Sequence, residues 1–168
     1  MPVKITVNLE AKDIFDYTLY RSYTSFSGIS SAVLGVIFLW MAIERVVFGA
    51  WEASLMYWVF AFITLVYIPW TMWSRSKKQY KRNESFQHPI EYTFAERGIT
   101  VIQGDVNVTN EWSAVEKAVS TQKSVLLYMS KTRAIIFPKR CMGEKYEEII
   151  KMIHTNMPSE KVKIRHIH

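Results

Sequence analysis

The sequence predicts an α+β membrane protein, in which a two-helix transmembrane hairpin is joined to a small antiparallel β domain closed by a C-terminal helix. Two uncharged stretches, at 27–43 and 54–73, predict the hairpin. After residue 89, apolar and polar residues alternate in short runs, which is typical of half-buried strands. After Gly143 the apolar spacing becomes that of a helix. A chain of 168 residues has room for one small domain and such an anchor.

The N-terminal region, residues 1–26, is predicted to hold one strand and one amphipathic helix. In KITVNLE the apolar residues Ile5, Val7 and Leu9 alternate with polar ones, which indicates a short strand with one buried face. The next stretch, AKDIFDYTLYRSYTSF, has mixed apolar spacing and contains neither proline nor glycine. We therefore expect a helix that leads towards the inner membrane surface.

The two uncharged stretches predict transmembrane helices at 27–49 and 54–74. Since a helix rises about 1.5 Å per residue, roughly 20 apolar residues cross a hydrocarbon core about 30 Å thick. The first helix reaches this length if Glu44 and Arg45 lie near the outer interface, where long side chains extend to water. The alternative is a soluble bundle with two buried helices, but so small a core could hardly cover every side of both.

A connection of only four residues, 50–53, joins the predicted helices, so they must run antiparallel and leave both chain ends on one side. Ser27, Ser31 and Gly35 recur every four residues, a stripe of small residues that would let the second helix come close. Pro69 is expected to kink the second helix or to mark its last turn.

A dense basic run follows the second apolar stretch and holds most of the net charge of +6. Tryptophan favours the headgroup level of a bilayer, and lysine and arginine favour its cytoplasmic side. Both termini are therefore predicted to be cytoplasmic, and residues 75–88 are interpreted as a basic juxtamembrane linker. The run acts either as an orientation signal alone or also as a contact for anionic lipid. The residues predicted to touch the membrane surface are Trp70, Trp73, Arg75, Lys77, Lys78, Lys81 and Arg82.

Residues 89–168 are predicted to form the β domain. Five runs have strand character: IEYTFAE, ITVIQ, VNVTNEW, KSVLLYMS and RAIIFPKR. Residues 130–133 suit a hairpin turn, and EWSAVEKAVST fits either a helical turn or a strand. In GEKYEEIIKMIHTNMP the apolar residues have helical spacing, and Pro158 ends the helix. We expect a meander of five to seven strands followed by one amphipathic helix, and the tail KVKIRHIH alternates weakly.

This order of elements resembles the YcxB-like family of small bacterial membrane proteins, most clearly over 89–155. The most specific parts are Trp112, Val115 and Lys117, together with the run IIFPKR at 135–140. The resemblance implies a C-terminal domain similar to pleckstrin-homology domains, a bent antiparallel sheet with a C-terminal helix. It implies no activity and supplies no catalytic residues, because the family is largely uncharacterised.

No catalytic, cofactor or metal site is predicted. Cys141 lacks any pattern that would place an activating histidine beside it, and a third ligand is not evident for His166 and His168. No glycine-rich phosphate loop or paired-cysteine zinc spacing occurs, and no small-molecule substrate is evident. The bases are concentrated in one run, whereas a nucleic-acid-binding protein would more often spread them over a folded face.

These observations predict a non-enzymatic interaction or regulatory module held at the cytoplasmic face of the bacterial cell membrane. Its expected partners are the lipid bilayer and another protein at or in the membrane, and nucleic acid is not among them. One alternative is an anionic-lipid-binding membrane module. The other is a small accessory subunit of a transporter complex, with Glu44 and Arg45 inside its partner.

Overall fold

The computed structural model describes residues 2–131 and 133–164. The chain forms two compact units. The first, here called the β unit, contains the chain up to Tyr17 and from Gln79 onward, and the second, the hairpin unit, is Thr18–Lys78. The predicted α+β class, with antiparallel sheets and two long apolar helices, is confirmed.

The first sheet of the β unit has four antiparallel strands in the order β1-β2-β3-β4. Its first strand precedes the whole hairpin unit in sequence, yet it pairs with β2 from Val3 opposite Phe94 to Val7 opposite Ile90. The division expected from the sequence set 1–26 apart from 89–168. The structure joins them, because a short strand with one apolar face needs a neighbouring strand and a core to cover it. The strands are β1 (Val3–Val7), β2 (Ile90–Ala95), β3 (Gly98–Gln103) and β4 (Val106–Glu111).

The second sheet has the strand order β7-β6-β5-β8. Its strands pair antiparallel except for β8, which lies parallel to β5. The stretch that fitted either helix or strand forms a 3-10 turn at Trp112–Ala114 and then enters β5, where Ala118 and Val119 are buried. The strands are β5 (Lys117–Ser120), β6 (Ser124–Tyr128), β7 (Ala134–Pro138) and β8 (Val162–Lys163).

Aromatic and aliphatic side chains from both sheets meet in one core. The ring of Phe137 lies 4.8 Å from that of Tyr92 and 5.2 Å from that of Phe94, measured between centroids. The helix predicted near the C-terminus is α6 (Tyr146–Asn156), which follows the short α5 (Lys139–Met142). Its residues at helical spacing are buried, namely Ile149, Ile150 and Ile153.

Three long helices connect β1 to β2. They are α1 (Ala11–Tyr23), α2 (Phe26–Val47) and a continuous helix Trp51–Arg82. The last of these consists of α3 (Trp51–Phe62), a π-helical turn (Ile63–Tyr67) and α4 (Ile68–Arg82). Helix α1 begins in the β unit and ends in the hairpin unit.

Small residues let α2 and the continuous helix pack closely in the hairpin unit. Gly35 and Ala42 of α2 are buried, as are Ser54 and Ala61 of α3. A Cβ at Gly35 would lie 2.6 Å from the hydroxyl oxygen of Thr64 and 2.7 Å from Cδ2 of Leu65, so any side chain there would force these two residues to move. Of the predicted stripe, Gly35 has the packing role, whereas Ser27 is exposed.

Pro69 explains the π-helical turn. Proline has no N–H, and its ring would clash with the carbonyl group four residues earlier in a regular α-helix. The helix widens just before Pro69, and the Ile68 N–H donates to the carbonyl of Ile63, five residues back.

The interpretation of 75–88 as a linker is corrected, because α4 continues to Arg82. Residues 75–82 contain good helix formers and neither glycine nor proline.

Candidate membrane-surface site

Helix α4 positions all seven residues that the sequence predicts at the membrane surface. Residues three, four or seven apart lie on the same side of an α-helix. Trp70, Lys77 and Lys81 therefore share one face. The other face of the helix carries the remaining cations, Arg75, Lys78 and Arg82.

The side chains of this basic run point into solvent. Trp70 is 67% exposed, Trp73 is half-buried, and all five bases are exposed. The Lys77 ammonium lies 4.9 Å from the centroid of the Trp73 ring, close enough for a cation–π contact. None of the five bases forms an ion pair with any described residue. The helix therefore presents five uncompensated positive charges directly after two tryptophans.

A second charged cluster, centred on Arg140, joins the two ends of the β unit. The Arg140 guanidinium binds both carboxylate oxygens of Asp13, at 2.5 and 2.7 Å, and donates to the carbonyl of Asn8 at 3.0 Å. Glu10 lies 3.0 Å away on the same guanidinium. The hydrogen bond to Asp13 raises the pKa of Arg140, and burial opposes this only partly. This cluster fixes the start of α1 against α5.

Sequence reasoning missed the role of Asp13. The carboxylate is buried and also accepts a hydrogen bond from the Glu10 N–H at 2.8 Å, which caps the start of α1. An acid three residues after the residue that precedes a helix is a recognisable capping signal. The signal predicts the cap but not the arginine, which is 127 positions away in sequence.

Trp112, the only tryptophan outside the 40–73 region, belongs to the core. It is buried, and its indole N–H donates to the Ala95 carbonyl at 2.8 Å.

The ammonium of Lys139 lies 5.9 Å from the centroid of the Tyr146 ring. Burial lowers the pKa of Lys139, and the nearby Asp16 opposes this shift. These contacts hold the β unit together and provide no reactive group.

Among the residues that the structure describes, the other polar positions raised by the sequence do not assemble into a site. Cys141 is half-buried on α5, with its sulfur 4.0 Å from the Asn8 carbonyl oxygen. Within 2–131 and 133–164, no three His, Cys, Asp or Glu side chains are arranged to hold a metal ion. His166 and His168 lie outside the described residues. An open groove of 700 Å³ lies beside the β2–β3 turn. Both polar and apolar residues line it, including Glu96, Arg97 and Thr100.

Comparison with known families adds one finding. The family described as YcxB-like protein matches residues 94–153. The chain carries a YcxB-like segment. The predicted resemblance is thereby confirmed. The YcxB-like segment begins in β2 and ends in α6, so it contains Trp112 and Arg140 but neither β1 nor Asp13. No curated protein and no solved structure matches the chain.

Proposed function

We propose that this protein is a membrane-anchored, non-enzymatic interaction module that displays its YcxB-like β unit at the cytoplasmic face of the cell membrane. The observation that carries the proposal is the exposure of the apolar helices. Only 11% of the most apolar window in Phe26–Val47 is buried, and only 6% of that in Trp51–Arg82. A soluble core helix would bury most of such a window against protein.

Lipid is the solvent that suits these surfaces. Trp40, Trp51 and Phe48 are between 65% and 78% exposed, and the exposed set continues along both helices. In a bilayer these side chains would face hydrocarbon, and the helical backbone would satisfy its own hydrogen bonds. The 22 residues of α2 would extend about 33 Å, enough to cross the hydrocarbon core.

The basic run supports the orientation. Five exposed bases follow Trp70 and Trp73, a pattern that favours the cytoplasmic side of the membrane. Glu44 and Arg45, near the opposite end of the hairpin, are also exposed and would reach the outer interface. With an antiparallel hairpin, both chain ends would lie inside the cell.

The β unit supplies the interaction surface. It contains two four-stranded sheets and the helix α6, and the family resemblance implies a pleckstrin-homology-like architecture for it. Anchoring such a unit raises its effective concentration towards other membrane proteins without any added contact. We therefore propose a protein partner in the membrane or at its inner face, and assign the chain no reaction.

Topology reporters test the anchor and its orientation. A fluorescent protein fused at the C-terminus should be bright, and an alkaline phosphatase inserted after Gly49 should be active, if the chain ends lie inside and the turn outside. An active phosphatase at the C-terminus would overturn the orientation. Release of the chain from membranes by alkaline carbonate would overturn the anchor itself.

Photo-crosslinking in intact membranes tests the interaction role. A photoreactive residue placed at exposed positions of the β unit, such as Glu91 or Thr109, should trap a discrete heavier species. The same residue at buried Phe94 is the matched control and should not trap it. Recovery of the monomer alone from every exposed position would contradict a protein partner.

Anionic lipid binding is a second candidate function, favoured by the five exposed bases. A soluble version in which a flexible linker replaces residues 18–74 keeps β1 and the whole basic run. It should float with phosphatidylglycerol vesicles and stay behind with phosphatidylcholine vesicles, because each base near an anionic surface contributes about 1 kcal/mol. Equal flotation with both lipids would rule this candidate out.

A further inference from the structure

The hairpin unit contains a crevice lined by hydroxyl groups at the end where the basic run begins. It has a volume of 230 Å³ and lies between the start of α2 and α4. Tyr23, Ser27 and Ser31 contribute to one wall, and Ile68 and Met72 to the other. Further along the hairpin, the hydroxyls of Ser54 and Thr64 bond to carbonyl groups of their own helix, so they differ from the hydroxyl groups of this crevice.

The turn between α1 and α2 creates the crevice. A Cβ at Gly28 would come within 2.6 Å of the carbonyl carbon of Ser22, so glycine is needed for the last turn of α1 to approach α2. The Ser25 hydroxyl donates to the Ser22 carbonyl at 2.6 Å and accepts from the Gly28 N–H at 3.2 Å. These two bonds fix the turn and use the hydroxyl of Ser25.

The neighbouring hydroxyl groups have no such use. Among the described residues, the hydroxyls of Tyr23, Ser27 and Ser31 form no hydrogen bond with protein. Ser27 and Ser31 are four residues apart, so they lie one above the other on the same side of α2. Hydroxyl groups in this arrangement can donate to the oxygens of a single acceptor that enters the crevice.

Arg75 adds a cation beside the crevice. It follows Met72 by three residues and Ile68 by seven, so it lies on the same side of α4, one turn further along. Its guanidinium is exposed and forms no ion pair with the described residues. A guanidinium beside hydroxyl donors is a combination that suits a phosphate group, which accepts two parallel hydrogen bonds from arginine.

We propose that the crevice and Arg75 together bind the phosphate of an anionic lipid headgroup in the cytoplasmic leaflet. This inference rests on the proposed membrane anchor, which places Trp70 and Trp73 at headgroup level and Arg75 at the depth of the lipid phosphates. A free phosphate ion has the same chemistry, so the test must separate the two sources.

The full chain, reconstituted in phosphatidylcholine bilayers, provides the test. Spin-labelled phosphatidylglycerol and spin-labelled diacylglycerol, which lacks the phosphate, compete for the protein surface, and electron paramagnetic resonance gives the selectivity between them. The double variant S27A/S31A removes hydrogen-bond donors without changing the charge. We expect it and R75Q each to reduce the selectivity for phosphatidylglycerol about fivefold.

The matched control is K77Q, which removes one charge at nearly the same depth but on the opposite side of α4. It should keep most of the selectivity. Equal losses in R75Q and K77Q with no loss in S27A/S31A would overturn the proposal, since charge alone would then explain the binding. Absence of selectivity in the unaltered chain would overturn it as well.

Two further measurements separate the remaining possibilities. Inorganic phosphate, titrated onto the chain in neutral detergent, should leave the melting temperature unchanged. A phosphate-dependent shift that S27A/S31A abolishes, without lipid selectivity, would overturn the assignment to lipid. Carbonate extraction of the same bilayers reports on the anchor, so a chain that stays inserted but shows no selectivity refutes this inference and leaves the proposed function intact.

Discussion

At the residue scale, Asp13 and Arg140 depend on each other. The Asp13 side chain is 2% exposed and accepts hydrogen bonds from both terminal nitrogens of the Arg140 guanidinium. The Arg140 side chain is 37% exposed. Removing the arginine would leave a carboxylate in a site that water barely reaches. Such a group costs more than the lost hydrogen bonds, because its desolvation is no longer offset.

The substitution R140M is therefore expected to lower the free energy of unfolding by about 2–3 kcal/mol. Pulse proteolysis along a urea titration of the chain in mild detergent measures this. The control K12M removes an exposed pair with Glu10, in which both side chains are about half exposed, and should change stability by less than about 0.5 kcal/mol. Equal effects of the two substitutions would show that Asp13 is solvated after all.

The buried Tyr92 is expected to make the protein lose free energy of unfolding at alkaline pH. Burial raises the pKa of its phenol from 10.0 to about 12. The folded state then holds the phenol proton more tightly than the unfolded chain does. The contribution of this proton to the free energy of unfolding is therefore complete below pH 10 and disappears as the pH rises towards 12. At pH 11 the unaltered chain should have lost about 1.4 kcal/mol relative to Y92F, compared with their difference at pH 8.

Urea titrations of both chains at pH 8 and pH 11 test this prediction. A constant difference between the unaltered chain and Y92F would mean that the Tyr92 phenol ionises as easily in the folded state as in the unfolded one.

At the element scale, the widened turn before Pro69 and the glycine of α2 form one contact. The π-helical turn Ile63–Tyr67 includes Thr64 and Leu65, the two residues that a side chain at Gly35 would meet. The Thr64 hydroxyl donates to the Phe60 carbonyl at 2.8 Å and so returns to its own helix. Close packing of this kind is a main source of attraction between helices in lipid, where burial of apolar surface offers little.

The substitution G35L should force the helices apart and lower the stability of the hairpin by about 1–3 kcal/mol. The midpoint of loss of helical circular dichroism, as sodium dodecyl sulfate replaces a mild detergent, measures the effect. The neighbouring V36L enlarges a side chain that is 60% exposed and should leave the midpoint unchanged. A normal midpoint for G35L would mean that α2 can shift without cost.

At the scale of the whole molecule, the hairpin unit interrupts the β unit in the sequence. Strand β1 lies before the hairpin and β2 after it, and the two are neighbours in one sheet. The buried residues Val3, Ile5 and Val7 complete the core, and Arg140 joins α5 to the segment after β1. The YcxB-like segment at 94–153 therefore includes only part of the folded unit.

A soluble chain in which a flexible linker replaces residues 18–78 is expected to fold, since it contains the whole β unit. A chain that starts at Gln79 lacks β1 and Asp13 and should aggregate or remain unfolded. Dispersed amide resonances in two-dimensional nuclear magnetic resonance spectra distinguish the two outcomes. A folded spectrum from the shorter chain would show that β1 is dispensable.

Patterns that repeat along the chain predicted the elements well. Alternation predicted β1 and β2, and helical spacing predicted α6, because each pattern reflects which face an element buries. The stretch 111–121 stayed open, since its residues fit both periods and only pairing with β6 and β8 makes β5 a strand. The continuation of α4 through the basic run was not predicted from the sequence. Residues 75–88 were interpreted as a linker because they are densely charged, although lysine and arginine favour helices.

The sequence by itself determined the two apolar helices, the concentration of positive charge after Trp73 and the family resemblance, all of which depend on residues close together in the chain. Only the tertiary structure decided that β1 pairs with β2, that Asp13 meets Arg140 and that Gly35 packs against Leu65. The physical reason is that a local pattern specifies that a face must be covered but not by which part of the chain. That choice depends on shape, hydrogen bonding and charge between segments far apart in sequence.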